Sequence, residues 1–308
     1  PGTILNNTAE LTGPRGTIRR SAPVAVPVEP EAFSGTLVLL YANGDHDPRR
    51  PTSIASEVLE LINRAERGAA NEQIVVLALL DGPGADDHRL FRLHRLGPGE
   101  EPCITYTLRS CGDRYREGVN VWSGQREDMG SPDTLRAFVT GAVSAYAGAS
   151  KVVLSLVGHG GGWSPEVLAS QPSGHRTLDD DDDLGGLLWD DSSGNSLSTP
   201  DLGAALRASV SETGRQIDLL YLDACSMATV EVAYEVRDSV GFLLASESVK
   251  WSVFPYDAHL RGIDDAQTVA DIGRLWLETE ARILRAEGGA RAPQSFTYPF
   301  TYSLTHLT

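Results

Sequence analysis

Basic residues are scarce in this sequence: 26 Lys and Arg stand against 42 Asp and Glu, a formal charge of −16 over 308 residues. That deficit argues against the clustered positive surface nucleic acids require and against binding to anionic membranes, leaving neutral or basic partners. By itself an acidic balance is more often a solubility feature. No run of about 18 apolar residues occurs, so no segment reads as a membrane span. Cysteine is equally scarce. The three present cannot all pair, and none shows the short spacing of a structural zinc site. Cys103 and Cys111 fall in a stretch that reads as a hairpin and could bridge, but two reduced thiols in a cytosolic protein are the expected state. Cys225 is then the thiol left over. Localisation stays open on these grounds, with the cytoplasm slightly favoured. The chain begins at Pro1 rather than Met, which leaves room for a removed leader or an upstream domain. Missing as well are a Gly-x-Ser-x-Gly elbow, a Gly-Lys-Ser/Thr loop and a Gly-x-Gly-x-x-Gly turn, which sets aside α/β serine hydrolases and nucleotide-binding loops. No internal repeat is evident.

What the chain does have is length and apolar content: 41% hydrophobic residues suffice for a full core. Residues 1–33 carry Pro23, Pro27 and Pro30, little periodicity and a basic cluster at Arg15, Arg19 and Arg20, and read as a linker or extended arm. From Thr36 the pattern changes. TLVLLYA, then the helical SIASEVLELINRAERGA, then QIVVLALLDG give strand, helix, strand. Runs around Phe91 to Leu96 and Ile104 to Leu108, with Gly97-Pro98-Gly99 after the first, suggest a hairpin insertion. TLRAFVTGAVSAYAG is helical, KVVLSLV (Lys151 to Val157) is a strand, and a helix follows near Thr199 to Ser209. IDLLYL, the helix ATVEVAYEVRD, the strand GFLLAS and a helix over Thr268 to Ala286 complete the series. Continuous apolar strands alternating with helices predict a mostly parallel sheet buried on both faces, an α/β sandwich over residues 34–308.

In such sheets chemistry gathers beyond the carboxyl ends of the strands. KVVLSLV runs into Gly158-His159-Gly160-Gly161-Gly162-Trp163, and IDLLYL runs into Asp223-Ala224-Cys225-Ser226-Met227. A thiol becomes a useful nucleophile beside an imidazole, and a leaving amine needs a proton donor. Gly160 lets the backbone approach a substrate and aim an amide at a developing oxyanion. Cys225 stands before a helix expected to begin near Ala228, so its amide and the helix dipole would favour negative charge there. Singly, a Gly-rich loop is a turn, His159 a satisfied polar residue and Cys225 a small buried hydrophobe. Together, at two strand ends on one side of the sheet, they read as a catalytic pair.

Four segments in register resemble the clostripain family of bacterial cysteine peptidases, which belongs with caspases, gingipains and legumain in one clan. They are LVLLYANGDHD, REDMGSPDTLRAFV, VGHGGGW and LDACSMATVEVAYEV, spanning about Thr36 to Tyr256. The resemblance implies a caspase-like αβα sandwich on a six-stranded sheet, with His159 and Cys225 as the dyad and Gly160 with the Cys225 amide as the oxyanion hole. It implies a polypeptide substrate and no metal in the chemistry. In the family the aspartate two residues before the nucleophile lies at the base of the specificity pocket and selects arginine or lysine before the cut; here that position is Asp223. A carboxylate there would pair with a guanidinium through two parallel hydrogen bonds; an acid merely bonded to nearby amides is the plainer reading. Ser246 and Glu247 match the family's pocket wall, with a strand edge after them for extended substrate. Asn43 and Asp45 occupy its Asn/Asp turn and could orient His159, although surface-turn chemistry alone would explain them.

Ser164 to Gly186, with five aspartates from Asp179 to Asp183, reads as a solvated, protease-sensitive tether. Clostripain relatives are commonly activated by a cut here after a basic residue, and Arg176 is the single Arg or Lys between Trp163 and Arg207, so cleavage is expected after it. The aspartate run also suggests calcium as a regulator, but an EF-hand loop needs glycine at its sixth position, where counting from Asp179 finds Leu184. The rival function is a catalytically silent, peptide-binding or regulatory relative; retention of His159, Cys225 and Asp223 argues against it.

Overall fold

The computed structural model describes residues 9–13, 16–20, 33–49, 53–69, 72–84, 87–106, 128–163, 186–264, 267–291 and 300–307. Strands β1 (Ala9–Gly13) and β2 (Gly16–Arg20) pair antiparallel within the segment expected to be an arm. The sheet that organises the chain is built from β3 (Thr36–Asn43), β4 (Ile74–Asp81), β5 (Arg89–Arg92), β6 (Lys151–Val157), β9 (Ile217–Asp223), β10 (Val240–Ser246) and β11 (Tyr302–His306). A separate two-stranded ladder pairs β7 (Leu187–Asp190) with β8 (Asn195–Leu197). The helices are α1 (Ala55–Gly68), α2 (Pro132–Ala145), α3 (Thr199–Thr213), α4 (Val230–Val236), α5 (Tyr256–Arg261) and α6 (Val269–Arg291).

The large sheet has the order β11-β10-β9-β6-β3-β4-β5, parallel through its five inner strands and antiparallel at both edges. All eight residues of β3 and of β4 are buried, which is why those strands lack polar alternation: each face has its own helix layer. Successive side chains point to opposite faces. Leu37, Leu39 and Tyr41 enter the core under α2 and α3, while Val38, Leu40 and Ala42 enter the core under α1, α5 and α6. Helix α3 shows how local sequence sets the boundaries. Ser198 accepts the amide of Asp201, Pro200 sits in the first turn, and Gly214 closes the helix at φ 69.

Two expectations change. The sheet has seven strands rather than six, because the C-terminal Tyr302–His306 pairs with β10, placing Ser246 opposite Tyr302. Of the anticipated hairpin, the first run supplies the edge strand β5, bound to β4, while residues 107–108 of the second lie outside the described residues; Ile104, buried, receives its backbone bonds from a side chain. Asn63 accepts from the Ile104 amide at 3.1 Å and donates to its carbonyl at 3.0 Å, doing the work of a strand partner. Cys103 is disulfide-bonded and not the reduced thiol expected, whereas Cys225 is free.

The order of the sheet fixes where a site can form. β3 has β4 on one side and β6, the central strand, on the other, so the loops after β3 and β6 diverge at a topological switch point. β6 and β9 are then parallel neighbours with Val157 opposite Asp223.

Candidate active site

His159 lies two residues beyond the end of β6 and Cys225 two residues beyond the end of β9. Because Val157 and Asp223 are paired, and the Gly158 amide still reaches the Asp223 carbonyl at 3.4 Å, the two loops leave the sheet side by side at the same level. Their closest approach is at Gly160. A Cβ built there would lie 2.5 Å from the Cys225 carbonyl oxygen and 3.1 Å from its amide nitrogen, so only glycine lets these backbones pack this closely. Both His159 and Cys225 are partly exposed, as a pair that must meet a substrate should be.

A clamp holds the glycine loop from the other side. The Leu188 amide donates to the His159 carbonyl at 2.9 Å, the Gly161 amide donates to Gly186 at 2.8 Å, and Gly160 bridges to Leu187. The clamp and the glycine loop together line a small hollow, at His159, Gly160, Gly186, Leu187, Trp189 and Ser196. Three described residues other than glycine have φ in the left-handed region, and two border this site: Ser226, directly after Cys225, at φ 59, and Leu188, on the clamp, at φ 59. Such conformations persist where surrounding structure dictates them, and they concentrate at functional sites.

The electrostatic setting of Cys225 differs from the expectation. α4 begins at Val230, with Thr229 as its cap, so Cys225 is too far ahead of the first turn for the helix dipole to act on it. The intervening amides are used otherwise: Ser226 donates to Ser248 and Ala228 to Ser246, tying the loop to the segment after β10. The thiol meets the Lys250 backbone, whose amide donates to Sγ at 3.2 Å and whose carbonyl accepts from it at 3.9 Å.

Asn43 and Asp45 brace the clamp: Asn43 donates to the Trp189 carbonyl at 2.8 Å and accepts the Asp45 amide. The ring set against His159 is His46, edge to face at 4.5 Å between centroids, a residue the sequence reading passed over. Ser246 is fully buried with its hydroxyl on Thr301, and the Glu247 amide donates to the Thr301 carbonyl, so the edge of β10 up to Glu247 is taken by the chain's own C-terminal segment. The Glu247 side chain is exposed at the rim. Asp223 is buried, its Oδ1 at 2.9 Å from Lys250 Nζ and its Oδ2 accepting from the Tyr256 hydroxyl at 3.0 Å. Arg176 and the aspartates at 179–183 lie outside the described residues.

One group of carboxylates among the described residues could hold a cation. Asp45, Asp81 and Asp190 are all buried, with ligand atoms within 4.8 Å of one another. Asp190 Oδ1 accepts the amides of Ser192 and Ser193 and its Oδ2 that of Met129, which pins the β7–β8 turn. Burial, helped by the neighbouring Asp190, pushes Asp45 from near 3.8 up to about 7, and burial with the surrounding acids raises Asp81 well above the carboxylate range. The folded chain therefore binds a proton at Asp45 that the unfolded chain releases near pH 4. Stability attributable to this group should fall as pH rises from about 4 to about 7, by on the order of 2–4 kcal/mol. Asp45→Asn, neutral throughout, should flatten that slope and be the more stable protein at pH 7, as read from urea midpoints of both proteins across this range.

The fold is an α/β sandwich that sets a thiol and an imidazole at the carboxyl edge of a parallel sheet. The chain belongs to the clostripain family, whose model matches residues 54–288. It is similar to clostripain from Hathewaya histolytica, 30% identical over 207 residues, covering 65% of this chain and 34% of that protein. It therefore spans about a third of the length of the curated relative it matches. Its fold resembles a secreted C11 cysteine protease from Bacteroides thetaiotaomicron in complex with an irreversible peptide inhibitor, with a TM-score of 0.62 and 19% identity, covering 89% of this chain and 66% of that one. An inactive zymogen C11 protease from Parabacteroides distasonis aligns with a TM-score of 0.55 and 19% identity, over 82% of this chain and 60% of the other.

Proposed function

We propose that this chain is a cysteine endopeptidase that cleaves polypeptides after arginine or lysine. The observation that carries the reading is the placement of His159 and Cys225 at one level beyond paired parallel strands, with Gly160 packed between them. In the proposed reaction His159 accepts the thiol proton and Sγ forms a bond to the scissile carbonyl carbon. The Gly160 and Cys225 amides hold the oxyanion, and His159 returns the proton to the amine as the C–N bond breaks. Water, deprotonated by His159, then hydrolyses the acyl-enzyme. The reaction draws on protein groups alone; calcium is a candidate regulator, checked by adding it or a chelator to the same assay.

Asp223 is proposed as the acid that meets the basic side chain, from its position two residues before the nucleophile. Activation is proposed to follow a cut after Arg176. The disulfide at Cys103 moves the localisation reading from the cytoplasm towards an oxidising compartment. The test offers matched fluorogenic peptides ending in arginine, lysine, aspartate or asparagine. The basic pair should exceed the others by at least about 100-fold in kcat/KM, and intact mass of the purified chain should show the break after Arg176. Preference for aspartate or asparagine would remove Asp223 from the reading and leave the dyad in place.

A further inference from the structure

The acid assigned to a basic substrate already has a basic partner. Lys250 is buried, its Nζ 2.9 Å from Asp223 and 3.4 Å from Glu280 Oε2, with a further bond to the Trp251 carbonyl at 3.0 Å. The ammonium also faces the rings of Phe254 at 4.9 Å and Tyr302 at 5.6 Å. Glu280 is held on its other side by the Tyr221 hydroxyl at 3.0 Å. His259, stacked on Trp276, supplies no charge: burial, and then Lys250, keep it well below its ordinary range. Around Asp223 the described residues thus set one ammonium between two carboxylates.

We propose, resting on the peptidase reading above, that Lys250 is a specificity-determining residue: its ammonium holds Asp223 in the substrate-free chain, and an incoming arginine or lysine takes that carboxylate as Lys250 shifts onto Glu280. The geometry makes the exchange short, since Nζ already stands within 3.4 Å of its second acid. Charge makes it favourable. With both acids ionised, two carboxylates and one ammonium leave a buried excess of one negative charge, which an incoming guanidinium removes; a neutral side chain gains nothing from displacing Lys250. Glu280 is needed because, without it, two cations would compete for one carboxylate. Burial raises Glu280 to about 7, against the pull of Lys250, so this acid gains from keeping the ammonium to itself. Lys250 also touches the nucleophile, through its backbone amide on Cys225 Sγ, a contact that side-chain substitution leaves in place.

The test separates KM from kcat. Lys250→Met should lower KM for arginine and lysine substrates by about 10-fold relative to its KM for substrates with a neutral residue before the cut, with the change carried by KM more than by kcat. Glu280→Gln, close in shape, should raise KM for basic substrates alone, and it decides the matter by itself should Lys250→Met fail to fold. Equal shifts for basic and neutral substrates, or a higher KM for basic ones in Lys250→Met, would overturn the role of Lys250 while the peptidase stands. A wild type that prefers neutral residues beside a Lys250→Met variant that prefers basic ones would overturn the parent specificity and support the exchange. Cleavage surviving in Cys225→Ala would overturn the parent reading and this one with it.

Discussion

Replacing Cys225 by alanine should reduce peptide cleavage by about 10⁴-fold or more, and His159→Ala should do nearly the same. The two groups act as a unit. Without the imidazole the thiol is a poor nucleophile and the amine has no proton donor; without the sulfur the imidazole has nothing to activate. The double variant should therefore be hardly worse than either single one, a non-additivity that two independent contributions would not give. Folding should survive, because the sulfur makes few contacts: it accepts one amide, from Lys250, and is partly exposed. Steady-state kinetics on an arginine peptide, with circular dichroism as the control for fold, checks the set. Retained turnover in Cys225→Ala would remove the nucleophile assigned here.

Gly160→Ala should be nearly as damaging although it removes no chemical group, with kcat/KM falling by about 10²–10³-fold. The methyl group has nowhere to go. It would meet the Cys225 carbonyl oxygen at 2.5 Å and the Ala224 Cβ at 2.9 Å, and neither is the end of a flexible side chain. The His159 loop is fixed on its far side by the Leu188 and Gly161 bonds, so the strain must open the gap between Gly160 and Cys225, where the two proposed oxyanion donors converge. Stability should drop by about 1–3 kcal/mol, the usual cost of overpacking. Comparing peptide turnover with alkylation of Cys225 by iodoacetamide separates the causes, since alkylation needs a reactive thiol but no oxyanion hole. Turnover should fall much further than alkylation, and parallel losses would place the damage at the dyad.

The core of the site was legible because it depends on local signals. Apolar runs ending in Gly-His-Gly and in Asp-Ala-Cys marked strand ends, and a parallel sheet brings such ends to one edge. Residues tied to the site across long separations carry no such mark. Lys250 is a lone lysine in an irregular stretch, and its burial follows from Glu280 on α6 and Asp223 on β9 closing over it. His46 comes to His159 from the loop after β3, and Trp189 from the β7–β8 clamp, whose strands are only four and three residues long and too short to show a period.

By itself, then, the sequence determined the α/β class, the alternation of β3 between two cores, and the thiol and imidazole at strand ends, since each follows from periodicity and residue chemistry over a few neighbours. Tertiary structure decided what surrounds them. A seventh strand from the C-terminus covers the edge beside Glu247, the loop ahead of α4 puts Cys225 beyond reach of the helix dipole, and the acid before the nucleophile is met by a lysine of the chain itself. Each depends on partners distant in the chain, from 18 residues for Ala228 and Ser246 to 64 for Phe242 and His306, a matter of how the layers close and not of any local pattern.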